Sequence, residues 1–153
     1  MSLNEKYRRH CDKAPGLFSE LMSSPAVSLE GNAFPASPAI YVFLFNGEPV
    51  HVGRTRNLRQ RLKGHVTNSH YSASFAFKRA RSDTGMKASY KKGEGRGALL
   101  ENPIFAAAFA KALAEVRGMT VRHLVVNDPI DQYLLELYAA LELDTSLTEF
   151  DTH

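Results

Sequence analysis

The feature that most restricts the fold of this chain is the stretch AIYVFLFNGEPVHVG over residues 39–53. Seven apolar residues, mostly β-branched or aromatic, end at Asn46-Gly47, and the strand-like PVHVG follows. Asn-Gly favours a tight reversal because both residues tolerate a left-handed backbone. The stretch is therefore read as a β-hairpin, with strands over 39–45 and 49–53. Its loop length decides which side chains share a face. A two-residue loop places Tyr41 and His51 on opposite faces. A three-residue loop over 45–47, with Gly47 as a bulge, sets Tyr41 directly opposite His51, and a shared site requires this second form.

Further elements follow from periodicity and punctuation. Two short amphipathic helical stretches are expected near 3–12 and 16–22, then a loop carrying Pro25, Pro35 and Pro38. Thr55 is placed as the cap of a helix over 56–66, with Leu58 and Leu62 facing inward. A helix over 73–81 offers Phe75, Ala76 and Phe77 to the core. Residues 82–97 read as a Gly/Lys-rich loop. Pro103 opens a long helix ending near Gly118, 119–126 forms a third strand, and Asp128-Pro129 starts a last helix over 130–143. The expected fold class is α+β, a small, mainly antiparallel three-stranded sheet surrounded by helices. Residues 1–38 are read as a helical extension packed on a domain formed by 39–153.

The 153 residues suffice for one ordinary domain. One cysteine, Cys11, permits no intramolecular disulfide. The polar start, Met1 to Lys13, is unlike a signal peptide, and no apolar run approaches the length of a membrane span. The expectation is a cytoplasmic protein with no membrane association. The formal net charge is +3, but residues 54–96 hold twelve basic and two acidic residues. From Asp128 onward there are seven acids and no Lys or Arg. A concentrated positive field suits a polyanion such as nucleic acid, and equally a solvated charged surface.

The hairpin and the helix after it offer Tyr41, His51, Arg61 and His65. Arg61 and His65 are four apart and share one side of a helix, so Arg61 can reach over the sheet. Arg54, Arg56, Arg59 and Lys63 are expected on outward faces, where they could meet phosphates. Lys87, Lys91 and Lys92 of the expected Gly/Lys-rich loop could do the same, and Tyr90 could stack on a base. Glu136 is a carboxylate inside the apolar run Leu134-Leu135-Glu136-Leu137.

Ala39-Ile40-Tyr41, nine residues, His51-Val52-Gly53, then Arg61 and His65 together resemble the signature of the GIY-YIG nuclease family. That family has a Gly-Ile-Tyr strand, a Tyr-Ile-Gly strand about ten residues later, and an Arg ten residues after the second Tyr. The stretch HVGRTRNLRQRLKGH is similar to its strand–loop–helix, and the closing TEFDTH resembles the ends of bacterial single-domain members. The likeness covers about residues 39–153. It departs at Ala39 for the first Gly, at His51 for the second Tyr, and at Thr148 where many members have Asn. The resemblance implies a metal-dependent endonuclease that hydrolyses phosphodiester bonds, with DNA the expected substrate. It also implies that Glu136 holds one Mg²⁺ or Mn²⁺, that Arg61 stabilises phosphate charge, and that Tyr41 is a base or proton relay. An imidazole is a better intrinsic base than a phenol, which favours His51 for that role, and His65 could bond the phosphate. Glu101 ranks second as the metal ligand. With no separate recognition domain in view, a protein partner could supply specificity. The alternative is a nucleic-acid-binding module of nuclease-like fold with little activity.

Overall fold

The computed structural model describes residues 3–67, 69, 73–86 and 95–145. Lys87, Tyr90, Lys91, Lys92 and Thr148 lie outside the described residues. The chain forms two compact units, one of Met1–Arg59 with Met119–His153 and one of Gln60–Gly118. The architecture is α+β.

The first unit holds helix α1 (Leu3–Ser23), strands β1 (Val27–Ser28), β2 (Ala39–Phe45), β3 (Glu48–Thr55) and β4 (Thr120–Val125), and helix α6 (Pro129–Glu142). The sheet is antiparallel and has four strands, in the order β1-β4-β2-β3, where three were expected. The added strand pairs Val27 with Val121 and Ser28 with Thr120. Two residues are too few to carry an alternating pattern, so only the edge of β4 reveals it.

The hairpin loop differs from the expected one. Asn46 and Gly47 both have positive φ, 52° and 82°, and Phe45 pairs with Glu48 across a two-residue turn. The irregularity lies one pair further on. Leu44 faces Pro49 but Phe43 faces His51, which leaves Val50 as a bulge. This extra residue restores what the shorter loop would have removed. Tyr41 faces Gly53, so His51 shares its face diagonally rather than directly.

One sheet face carries a core cluster of this unit. Ile40, Val42 and Val52 pack with Leu21 of α1 and with Leu135 and Ala139 of α6. The same burial explains α1, expected as two stretches but formed as one helix through Pro15. Proline removes one internal hydrogen bond. Ala14, Leu17, Phe18 and Leu21 bury across that point and hold the helix together. Phe18 meets Tyr138 edge-on at 5.5 Å. Buried Gln132 ties α6 to the sheet by donating to Thr55 O (3.2 Å) and Val126 O (2.8 Å). Thr55 ends β3 instead of capping a helix. Its hydroxyl accepts from Asn57 N at 3.1 Å, a local turn, and helix α2 (Leu58–His65) starts afterwards.

α2 continues into the second unit, which also holds α3 (Ser74–Thr84), α4 (Arg96–Glu101) and α5 (Pro103–Arg117). Helix α4 begins inside the stretch expected as a loop. Phe77 packs on Phe105 and Phe109 at 5.0 and 6.1 Å, among buried Ala76 and Ala80. Gly85 stops α3 in a left-handed turn, and Asn102 accepts from Ile104 N and Phe105 N to start α5. No helix of the described residues is long and apolar enough to cross a membrane.

Candidate active site

In the first unit, β2 presents Tyr41 and Phe43 on the sheet face opposite the α1/α6 core, and β3 adds His51 and Gly53 to it. The rings of Tyr41 and His51 lie 5.8 Å apart, and both contact Phe43 at 5.2–5.3 Å. The glycine is needed at position 53. A Cβ there would overlap Cζ and the hydroxyl oxygen of Tyr41, with Cε2 at 2.8 Å. The phenol therefore lies across the backbone of β3, the sheet's edge strand, and carries its hydroxyl toward that edge. On the other side of Tyr41, its register partner on β4 is His123.

His123 is a site neighbour that sequence reasoning misses. The only signal is its alternation within TVRHLV, which the β2–β4 register alone connects to Tyr41. Its ring meets Phe34 edge-on at 5.6 Å, and burial pushes its pKa below the ordinary value. A lowered folded-state pKa means the unfolded chain takes up the proton first. This contribution to stability is therefore complete above about pH 6.5 and is lost as the pH falls below it. Between pH 8 and 5, the Tm of the wild type is expected to fall further than that of His123→Asn; parallel curves would contradict this.

One residue beyond Gly53, Arg54 points to the helix-covered face. Its guanidinium lies 3.9 Å from the centre of the Tyr133 ring, and its Nε is 3.4 Å from Glu136 Oε1. Glu136 is only 2% exposed. Arg54 is thus an internal partner of the carboxylate, not an outward residue as expected. The 3.4 Å distance is long for a charge-assisted hydrogen bond, so the pair is a loose one. Tyr41 with His51 and Arg54 with Glu136 occupy opposite sheet faces, but both groups abut the same segment, Gly53-Arg54.

Arg61 and His65 belong to the second unit. There Arg61 Nη2 donates to Ser74 Oγ at 2.8 Å, and His65 is fully buried. Arg56 and Lys63 are exposed, as expected for residues that meet solvent or phosphates. Arg59 is exposed too, but its Nε donates to Phe34 O at 2.8 Å. Glu142 is exposed, and Glu115 pairs with Arg79 at 2.6 Å.

A second group of metal-ligand type has no counterpart in the sequence motifs. Ligand atoms of His10, Asp128 and Asp131 lie within 4.8 Å of one another and could hold a metal ion. Protein contacts already account for their positions. His10 Nδ1 is 2.6 Å from Asp131 Oδ1, and Lys13 Nζ donates to Asp131 Oδ2 at 3.3 Å. Asp128 caps α6, accepting from Ile130 N and Asp131 N, and the bond from Asp131 N is the main reason its pKa lies below the usual carboxylate value. His10 lies far from the two acids in sequence, so no local motif marks the group.

No protein-family model, no curated protein and no solved structure matches the chain.

Proposed function

We propose that this chain is a GIY-YIG-type endonuclease that hydrolyses phosphodiester bonds, with DNA the expected substrate and one Mg²⁺ or Mn²⁺ as cofactor. The observation that carries the reading is the Tyr41 phenol laid over Gly53 with His51 on the same face, one residue from the Arg54–Glu136 pair. The spacing of the motif thus has a physical use: the glycine gives the phenol its place, and the bulge at Val50 turns His51 toward it.

Glu136 suits a hard cation, being a buried carboxylate whose contact with Arg54 is long. When bound, the metal would neutralise phosphate charge and supply an acidified water. Arg54 lies beside the same carboxylate, and its planar guanidinium would suit the substrate's phosphate. An imidazole is a stronger base than a neutral phenol, so His51 beside Tyr41 is the natural proton acceptor, with Tyr41 orienting or relaying. The family resemblance assigns phosphate binding to Arg61, whose Nη2 donates to Ser74 Oγ in the second unit, and a supporting role to His65 of the same helix.

A second reading, a binding module with little activity, is favoured by Arg54 already neutralising Glu136. Incubation with single-stranded, duplex and branched DNA, in Mg²⁺ or Mn²⁺ and in EDTA, separates the two. New ends that form only with metal support the nuclease. Salt-sensitive binding without new ends supports the module.

A further inference from the structure

Among the described residues, His10, Asp128 and Asp131 bring their donor atoms within 4.8 Å of one another in the first unit, where α1 meets the start of α6. Two of the three occupy positions that packing alone would give to apolar side chains. His10 stands one turn before Ala14, on the stripe of α1 that continues through Leu17 and Leu21. Asp131 stands one turn before Leu135 and two before Ala139, both of which pack on the sheet. The Asp131 side chain is only 10% exposed, and its counter-charges are incomplete. Lys13 reaches it at 3.3 Å from a side chain that is 48% exposed, and His10 balances it only when protonated. Asp128 brings a second carboxylate to the same place. Buried charge of this kind is costly unless it is fully paired.

Each of the three still has an atom to give. Asp128 uses Oδ1 to accept from Ile130 N and Asp131 N, which leaves its second oxygen for a cation. Lys13 holds Asp131 Oδ2, while Oδ1 faces His10 Nδ1 at 2.6 Å. A cation there would take the place of the proton that those two atoms share. The existing contacts then become the outer support that orients metal ligands, with Lys13 on one carboxylate and two backbone amides on the other. Donors bound to one ion at about 2.0–2.2 Å stand roughly 3–4.4 Å apart. The observed spacing therefore needs only a small closing movement, which the exposed Asp128 can make.

The geometry points to His10, Asp128 and Asp131 as a binding site for one divalent transition-metal ion, Zn²⁺ in the first place, that clamps α1 to the start of α6. An imidazole nitrogen with two carboxylate oxygens suits such an ion better than Mg²⁺ or Ca²⁺, which prefer oxygen alone. Two carboxylates balance its charge, and three protein ligands leave a position for water. The ion would join residues 121 positions apart, so it stabilises the packing of α1 on α6. The site is separate from Glu136, which pairs with Arg54, and it does not rest on the nuclease reading.

The test uses the full chain carrying Glu136→Gln, so that the carboxylate of the proposed active site takes no part. The protein is stripped with EDTA, moved to chelator-free buffer, titrated with Zn²⁺ by calorimetry, and melted with and without the ion. One bound Zn²⁺ is expected, with Tm raised by roughly 5–10 °C at an ion concentration about 100 times Kd. Addition of Asp128→Asn keeps the helix cap, because the amide oxygen still accepts from the two backbone N–H groups, but it removes the second ligand oxygen. That variant should bind Zn²⁺ about tenfold more weakly or worse and lose most of the Tm rise. His10→Ala should do the same, and if it does not fold, Asp128→Asn decides alone. Absence of Zn²⁺ binding in the parent, or equal binding in the folded Asp128→Asn protein, overturns the inference. An equal Tm rise with Mg²⁺ overturns the choice of ion class. Cleavage is read separately on the wild type. A protein that cuts DNA in Mg²⁺ but binds no Zn²⁺ here keeps the nuclease reading and loses this one. A protein that binds Zn²⁺ here but never cuts DNA does the reverse.

Discussion

Gly53→Ala is expected to destabilise the first unit and to impair any reaction that uses Tyr41. The added methyl would occupy the position of Tyr41 Cζ and its hydroxyl, in a strand pair already buried. The ring cannot yield freely, because Phe43 and His51 pack beside it at 5.2 and 5.8 Å. Overpacking of this kind costs about 1–3 kcal/mol. For a chain of this length each kcal/mol lowers Tm by roughly 2–4 °C, so a thermal melt resolves the change. The cause is checked by a double-mutant cycle. Tyr41→Ala removes the ring that clashes, so Gly53→Ala should cost much less in that background. Equal costs in both backgrounds would place the strain elsewhere.

Glu136→Ala and Arg61→Ala are each expected to abolish metal-dependent cleavage while the protein stays folded. Loss of one preorganised charge at a reacting phosphate lowers a rate on the order of 10²–10³-fold, and loss of the metal's carboxylate lowers it further. The two sites differ in what else they disturb. Removal of Glu136 strips Arg54 of its ion-pair partner, but Arg54 keeps Tyr133 beneath its guanidinium and sits on the edge strand, from which it can turn to water. Glu136→Gln preserves the shape and serves as the second variant. Removal of Arg61 takes one donor from the hydroxyl of Ser74. Circular dichroism and Tm establish folding before rates are compared, and full activity in either variant sinks the proposed chemistry.

Much of the fold is legible in the sequence, and the failures have physical causes. Local signals hold where one element determines itself. Asn46-Gly47 marks the turn, Pro103 after Asn102 marks the start of α5, and Leu58, Leu62, Phe75, Ala76 and Phe77 are buried as their periodicity implies. Tyr41 and His51 share a face as a common site requires, but through the bulge at Val50 rather than a bulged loop. A bulge is chosen by how β3 must twist against β2 and α6, which local sequence does not encode. The same holds for long-range partners. Arg54 reads as outward because its neighbours are basic, yet alternation along β3 turns it onto Glu136. His123, Gln132 and the His10–Asp131 contact are defined by residues far away in the chain. Pro15 misleads for the opposite reason, since its local cost is outweighed by burial along α1.

The most direct measurement is single-turnover cleavage of one labelled DNA in Mg²⁺ by the wild type and by Glu136→Ala, with DNA affinity for both measured in EDTA. The account predicts new phosphodiester ends from the wild type alone, with affinity kept in the variant. Wild-type protein that binds the DNA and leaves it intact in Mg²⁺ and Mn²⁺, or a variant that cuts as fast as the wild type, would contradict it.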